Sequence, residues 1–153
     1  MAHISRISLD DDLEPLVDEI NAASWDEDNG ECDYDVPSIA AYLARQDTVF
    51  IVCHEESSGR RVFQGMCSGR IELKPYGRER WLHVDEVDVC VDQRLKGVGS
   101  RMMRWLIEFA EREGCDEVWL GTEVDNDAAN ALYRRLEPDD VGDVVGYTWE
   151  TGD

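Results

Sequence analysis

Val87-Asp88-Val89-Cys90-Val91-Asp92-Gln93-Arg94-Leu95-Lys96-Gly97-Val98-Gly99-Ser100 is the stretch on which the reading of this chain turns. Its first part alternates like a strand, its middle is a short loop with two closely spaced glycines, and its end opens an amphipathic helix. On that helix Val98, Met102, Trp105, Leu106, Phe109 and Ala110 share one face, and Arg112 and Gly114 mark its end. Glycine in such a loop removes the Cβ that would keep a ligand off the backbone. The unpaired N–H groups of the first helical turn, at the positive end of the helix dipole, make an anion site. Arg94 and Lys96 add positive charge in a strongly acidic chain, so a diphosphate suits this loop. No Gly-Lys-Ser/Thr ending follows, which excludes a Walker loop, and Met102 stands where a dinucleotide fingerprint needs a third Gly or Ala. Alone, the G-x-G is equally compatible with a tight turn.

Upstream, Ile4 to Leu9 reads as a short strand, and Asp10 to Asp12 supply helix-start chemistry for Leu13, Leu16, Val17 and Ile20. Asp35 is a candidate cap for a second helix that opens at Pro37 and carries Ile39, Tyr42 and Leu43. Thr48 to His54 is a strand, Ser57-Ser58-Gly59 a turn, Arg61 to Leu73 a strand that can pair with the first as a hairpin, and Trp81 to Val91 a third. Beyond the central helix come a strand over Glu117 to Val124, a helix over Asn126 to Leu136 and a last strand over Val144 to Trp149. The order β-α-α-β-β-β-α-β-α-β predicts an α+β fold: a mixed, mostly antiparallel sheet with helices on its faces. The unit from Trp81 to Val124 is expected to be a right-handed parallel crossover. Residues 1–153 are read as a single domain, a length that buries roughly 70% of the unfolded chain's surface.

Fifteen Lys+Arg against thirty-five Asp+Glu give a net charge of −20, and only Lys74 and Lys96 are lysines. A field of that sign repels phosphate backbones, so no nucleic-acid partner is expected. The acids run along the whole chain, which fits a solvated coat of the kind used in concentrated salt, or else a surface aimed at a cationic partner. Cys32, Cys53, Cys67, Cys90 and Cys115 are odd in number and have no zinc or CxxC spacing, so they read as small hydrophobes in a reducing compartment and no metal is expected. Neither a signal-like amino terminus nor a run of ~20 apolar residues is present, which makes a cytoplasmic location without membrane partner the expectation.

Arg94-Leu95-Lys96-Gly97-Val98-Gly99 resembles the Arg/Gln-x-x-Gly-x-Gly/Ala signature of the GNAT acetyltransferases, and Asn126-Asp127-Ala128-Ala129-Asn130-Ala131-Leu132-Tyr133 resembles their Asn-x-x-Ala-x-x-Leu-Tyr helix. Both motifs stand in the family's order, one helix and one strand apart, and the element order resembles that fold over nearly the whole chain. The resemblance implies acetyl-CoA as co-substrate. It implies that the amides of Leu95, Lys96, Gly97, Val98, Gly99 and Ser100, with Arg94, hold the pyrophosphate, and that the backbone of Val89, Cys90 and Val91 pairs with the pantetheine arm. It implies that Asn126 and Ala129 lie along that arm and that Tyr133 protonates the leaving thiolate. The family's acceptor-side positions fall on Asp85 and His83, two apart and therefore on one strand face. Glu86 and Asp88 are expected on the other face unless a bulge shifts the register.

Bland readings stand beside these. His83 can be a satisfied surface or core histidine, Asp85 part of the acidic coat, and Tyr133 a packing residue beside Leu132 and Leu136. Trp81, Trp105, Trp119 and Trp149 read as core. The chain departs from the family at Val91, where proline is common, at Leu95, where Arg or Gly is common, and at Glu137-Pro138 in place of Gly-Phe. The last departure falls on a hairpin that helps wall the acceptor and often forms a dimer interface, so a homodimer stays open.

Acetyl transfer to an amine is the leading reading. An acyl-CoA-binding regulatory module without transfer chemistry, and an acidic interaction domain without ligand, are the alternatives. Self-repulsion at −20 predicts salt-dependent folding. The Debye length shrinks from ~10 Å at 0.1 M salt to ~3 Å at 1 M. The melting temperature should therefore rise between those sodium chloride concentrations, and a flat response would show that the acids are paired or too dispersed to matter.

Overall fold

The computed structural model describes residues 1–26 and 33–152. Two units make up the chain, 1–120 and 121–153. The first holds strand β1 (Ala2–Arg6), helices α1 (Leu13–Ala22) and α2 (Val36–Leu43), strands β2 (Thr48–Ser57), β3 (Arg60–Leu73) and β4 (Arg80–Val89), helix α3 (Val98–Arg112) and strand β5 (Glu117–Trp119). The second holds helix α4 (Asp127–Arg135). The sheet order is β1-β2-β3-β4-β5, with every neighbour antiparallel except the β4–β5 pair. The mixed sheet and the parallel crossover through α3 are as the sequence predicts.

The local chemistry explains the elements. Ser58 and Gly59 both have positive φ, 52° and 76°, which is the two-residue turn whose twist matches a hairpin. Asp35 caps α2 by accepting from Ser38 N–H (2.8 Å), with Pro37 in the first turn. Asp12 precedes α1 without a side-chain cap; Asp11 instead folds back to accept Ser8 N–H (2.7 Å). Thr48 to His54 are all buried because β2 is covered on both faces, which is why the run is apolar without alternation. Phe50 and Val52 pack with Phe63, Met66 and the α1 residues Leu13, Leu16, Val17 and Ile20 on one side. On the other, the Cys67 thiol reaches Met102 of α3 (3.7 Å), above the fully buried Leu82 and Leu106.

Five expectations change. The strand read as Ile4 to Leu9 runs instead over Ala2–Arg6. The strand read as Trp81 to Val91 ends at Val89, where Val91–Gln93 form a 3₁₀ turn. The strand read to Val124 stops at Trp119. Val144 to Trp149 form no strand, since no ladder partner takes their backbone. The tryptophans read as core are not buried: Trp81 lies under the Lys74 ammonium (4.3 Å), Trp105 stacks on Phe109 (5.5 Å), Trp119 meets His83 edge-on (4.8 Å), and Trp149 is 79% exposed. Indoles are large and carry an N–H that wants a partner, so they settle at borders. Cys53, Cys67 and Cys90 are buried free thiols and Cys115 a half-buried one, while Cys32 lies outside the described residues.

Two bulges shape the sheet. The β2–β3 register jumps from Cys53↔Gly65 to His54↔Phe63, leaving Gln64 as an extra residue. The β3–β4 register jumps from Ser68↔Glu86 to Gly69↔Val84, leaving Asp85 extra. Between them β4 lies so close to β3 that a Cβ on Gly65 would sit 2.6 Å from the Asp88 carbonyl and 3.0 Å from the Met102 methyl. Gly65→Ala should thus force backbone apart and destabilise the fold by about 1–3 kcal/mol. The midpoint of urea unfolding measures this, and an unchanged midpoint would contradict the close approach.

Candidate active site

The end of β4 and the start of α3 build the site. Asp116 clamps the beginning of β4 from both sides, accepting Arg80 N–H (3.0 Å) and donating its own N–H to Arg80 C=O (2.7 Å). The parallel ladder then runs only from Trp81↔Glu117 to His83↔Trp119. Cys90 N–H donates to Gln64 C=O (2.8 Å), so by alternation the N–H and C=O of Val87 and Val89 face the opposite edge. Among the described residues no strand pairs with that edge beyond His83. Of the three residues expected to pair with the pantetheine arm, Val89 therefore presents its amide there. The Cys90 amide is engaged with β3, and the Val91 amide donates to Ser24 C=O (2.8 Å).

The chain then enters the loop. Leu95 has φ 63° and Gly97 φ 76°, and α3 starts without any side-chain cap. The first intrahelical bond runs from Arg101 N–H to Gly97 C=O (3.1 Å), and the amides of the turn before it point outward. Leu95 is fully exposed, which keeps its backbone open, and it takes a positive φ that glycine adopts without steric cost. A buried amide network fixes the loop from behind. Gln64, 1% exposed, donates to Glu55 and to Gln93 Oε1 (both 3.2 Å), and Lys96 Nζ donates to the same Gln93 oxygen (3.3 Å).

The cations are distributed differently from the sequence reading. Arg94 pairs with Asp26 (3.0 Å). Arg101, which the sequence reading passed over, donates from Nη1 to Lys96 C=O (2.9 Å), while its Nε is buried with no partner among the described residues. Its place four residues after Gly97, on the same side of the first turn, was the available signal. Gln64 and Gln93 had none, because their roles depend on a bulge.

The bulge at Asp85 decides the acceptor side. Met66 belongs to the core under α1 and α2 and stands opposite Asp88, and Ser68 stands opposite Glu86. Arg70, next on that face, stands opposite His83. One face thus gathers His83, Glu86 and Asp88, with Asp85 at the kink, where unbroken alternation would have divided them. Arg70 ties the two sequence-read candidates together: Nη1 makes a close ion pair with Asp85, and Nη2 lies 3.4 Å from His83 Nδ1, which also faces Glu72 Oε1 at 3.5 Å. Tyr42 donates to Gly69 C=O (2.7 Å) beside the bulge, and burial with the nearby Asp85 charge pushes its phenol up to about 12. Glu86 accepts from Tyr34 O–H (3.4 Å). Burial, together with the charge and hydrogen bond of Glu86, pushes the Asp88 carboxyl up to about 6.

In the second unit Asn126 caps α4, its Oδ1 accepting Ala129 N–H (3.1 Å), and Asn130 Nδ2 donates to the carbonyls of Glu123, Val124 and Asn126. Tyr133 lies on α4. Glu137 follows the helix at φ 55°, a left-handed position that favours glycine.

The Asp88 shift has a sign that stability can test. Its folded value lies above the ordinary one, so its contribution is fully present below about pH 4 and is lost as the pH rises through about 6. Asp88→Asn should stabilise the fold by about 1–2 kcal/mol at pH 7.5 and hardly at all at pH 4. Urea unfolding of both proteins at the two pH values measures it, and an equal difference at both would show that Asp88 titrates normally.

The sequence model of the acetyltransferase (GNAT) family matches residues 15–137. The chain is 32% identical over 108 residues to N-acetyltransferase family 8 member 3 of Mus musculus, across 71% of this chain and 46% of the mouse protein. It is 31% identical over 108 residues to family 8 member 7 of the same species, across 71% of this chain and 45% of that protein. It thus spans less than half the length of these relatives. The structure is similar to an aminoglycoside acetyltransferase from an uncultured soil metagenomic sample, solved in complex with trehalose (TM-score 0.82, 16% identity, 99% of this chain and 97% of that one). It is also similar to glucosamine-6-phosphate N-acetyltransferase from Arabidopsis thaliana (TM-score 0.75, 17% identity, 98% and 99%). By its sequence match and its fold alike, the chain belongs to the acetyltransferase (GNAT) family.

Proposed function

We propose that this chain transfers an acetyl group from acetyl-CoA to a primary amine by direct attack. The observation that carries the proposal is the continuous path along unit one: the free edge at Val87 and Val89, the left-handed turns at Leu95 and Gly97, and the uncapped start of α3. A diphosphate-bearing thioester fits this path on two physical grounds. The outward amides and dipole of α3 favour an anion, and the buried Arg101 Nε, without a hydrogen-bond partner among the described residues, lies at the same turn.

When bound, acetyl-CoA supplies the activated acyl group. The chain's own residues do the rest. The amides from Leu95 to Ser100 and Arg101 hold the phosphates, and the Val87 and Val89 edge orients the arm as an added strand. The acceptor must shed a proton first, because an alkyl ammonium near pKa 10 has no free lone pair. Holding the two reactants in place supplies much of the remaining acceleration. Asn126, Ala129 and Tyr133 keep the roles that the family motif implies, with Tyr133 as donor to the thiolate. A cationic acceptor such as a polyamine, an aminoglycoside, a lysine or a peptide amino terminus suits the acid-lined face of β4.

Thiol release from acetyl-CoA with a panel of such amines, at low and high salt, tests the activity. Gly97→Trp should weaken CoA binding at least tenfold by calorimetry. Gly97→Asn, which tolerates the left-handed turn, separates blockage from backbone strain and should weaken it less. Unchanged affinity in Gly97→Trp would remove the loop from the binding site. CoA binding without turnover on any amine would leave a regulatory module instead.

A further inference from the structure

On the reading that acetyl-CoA binds along this path, we infer that Gln64 is a positioning residue for the acyl donor: from the β3 bulge it sets the spacing between the strand edge that takes the arm and the loop that takes the diphosphate. The inference rests on that binding reading and not on which amine is acetylated.

Gln64 owes its place to the register. Gly65 pairs with Cys53 and Phe63 with His54, so Gln64 has no partner across the ladder. Its side chain nevertheless lies inside, 1% exposed. A buried amide must find partners for its oxygen and for its nitrogen, or the burial is costly. Gln64 finds them on three sides. Oε1 accepts from the Cys53 thiol (3.4 Å), and Nε2 donates to Glu55 Oε2 and to Gln93 Oε1 (both 3.2 Å). Such a fully satisfied amide holds its neighbours in one arrangement.

Backbone and side chain of this one residue act on neighbouring points of one segment. The Gln64 carbonyl accepts Cys90 N–H (2.8 Å) immediately after β4 ends. The side chain holds Gln93, the last residue of the 3₁₀ turn, itself 7% exposed. Gln93 passes the constraint on, because the same Oε1 accepts from Lys96 Nζ (3.3 Å) next to Gly97. Val89 stands just before the first anchored point, and Leu95 to Gly97 just after the second. β3 cannot slide to absorb an error, since a Cβ at Gly65 would already collide with the Asp88 carbonyl. The distance from the Val89 edge to the loop amides is therefore set from Gln64. That distance has to match the donor, whose arm and diphosphate are joined at a fixed span. Two linked groups bind far more tightly than either alone only when the protein lets both engage at once.

The test compares two ligands on one protein: CoA, which carries arm and diphosphate, and pantetheine, which carries the arm alone. Gln64→Met keeps the length of the side chain and removes its donors. By calorimetry it should weaken CoA at least tenfold and pantetheine less than twofold, because only CoA uses the spacing. Gln93→Met cuts the same link from the turn and leaves β3 intact, so it gives the same reading should Gln64→Met fail to fold. The double variant should bind CoA no more weakly than either single one, since both remove one connection. Equal weakening of both ligands would make Gln64 a packing residue. Losses that multiply in the double variant would show that it does not act through Gln93. Either result overturns the inference while leaving CoA binding standing. A wild type that binds no CoA removes the binding reading and this inference together, whereas CoA binding without acetyl transfer removes only the transferase reading and leaves the affinity comparison to decide.

Discussion

The contact of β4 with Gly65 is the constraint on which the rest depends. A strand that must hold its neighbour on one side and release it on the other needs one edge bound unusually firmly. The place a Cβ would take at Gly65 lies 2.6 Å from the Asp88 carbonyl, so only glycine lets β3 and β4 come together there. Cys90 N–H to Gln64 C=O closes the same edge one step further on. With β4 fixed in this way, the ladder to β5 can stop at His83 without the strand fraying. The Val87 and Val89 edge, the loop and the first turn of α3 then follow in one direction. Each depends on the firmness of the edge behind it.

Much of this was legible in the sequence, and the part that was not has a common cause. The glycine-spaced loop, the Ser58-Gly59 hairpin, the Asp35 cap and the apolar stripe of α3 are local patterns, and local patterns report their structure directly. Glu86 and Asp88 were expected opposite Asp85, as period-two alternation has it unless a bulge shifts the register. One inserted residue reverses that assignment and leaves no compositional trace. The same holds for Gln64, which reads as an ordinary polar strand residue until the bulge turns it inward against Gln93. The final strand failed for the converse reason: Val144 to Trp149 has strand composition, but alternation alone does not supply a partner.

Charge is spent unevenly across the molecule. Against a net −20, the cations that lie near the site have particular tasks. Arg70 joins Asp85 and His83, Arg94 meets Asp26, Lys96 ties the loop to Gln93, and Arg101 stands under it. Exposed pairs of this kind contribute little to stability, about 0–1 kcal/mol each, so their value lies in orientation. The acids outside the site interact over longer distances through solvent and are screened by salt, whereas contacts within the half-buried cluster are screened much less. Bulk salt can therefore change how strongly the fold repels itself without dismantling the local arrangement at β4.

Strain falls where that arrangement is most demanding. Leu95 and Glu137 both adopt the left-handed backbone that favours glycine, and a non-glycine residue in that conformation costs roughly 1–2 kcal/mol. At Leu95 the side chain is fully exposed and gains no packing in return, so the turn is imposed by its neighbours. Gln93 holds Lys96 from behind, Arg101 holds the Lys96 carbonyl, and Gly97 turns the chain into α3. Between those fixed points a single residue must reverse the backbone. An L-residue can do so only in the left-handed well. The loop is thus shaped before any ligand arrives, by a network anchored on the sheet. Preformed amides of this kind lose little ordering entropy on binding, which is the advantage that offsets the strain.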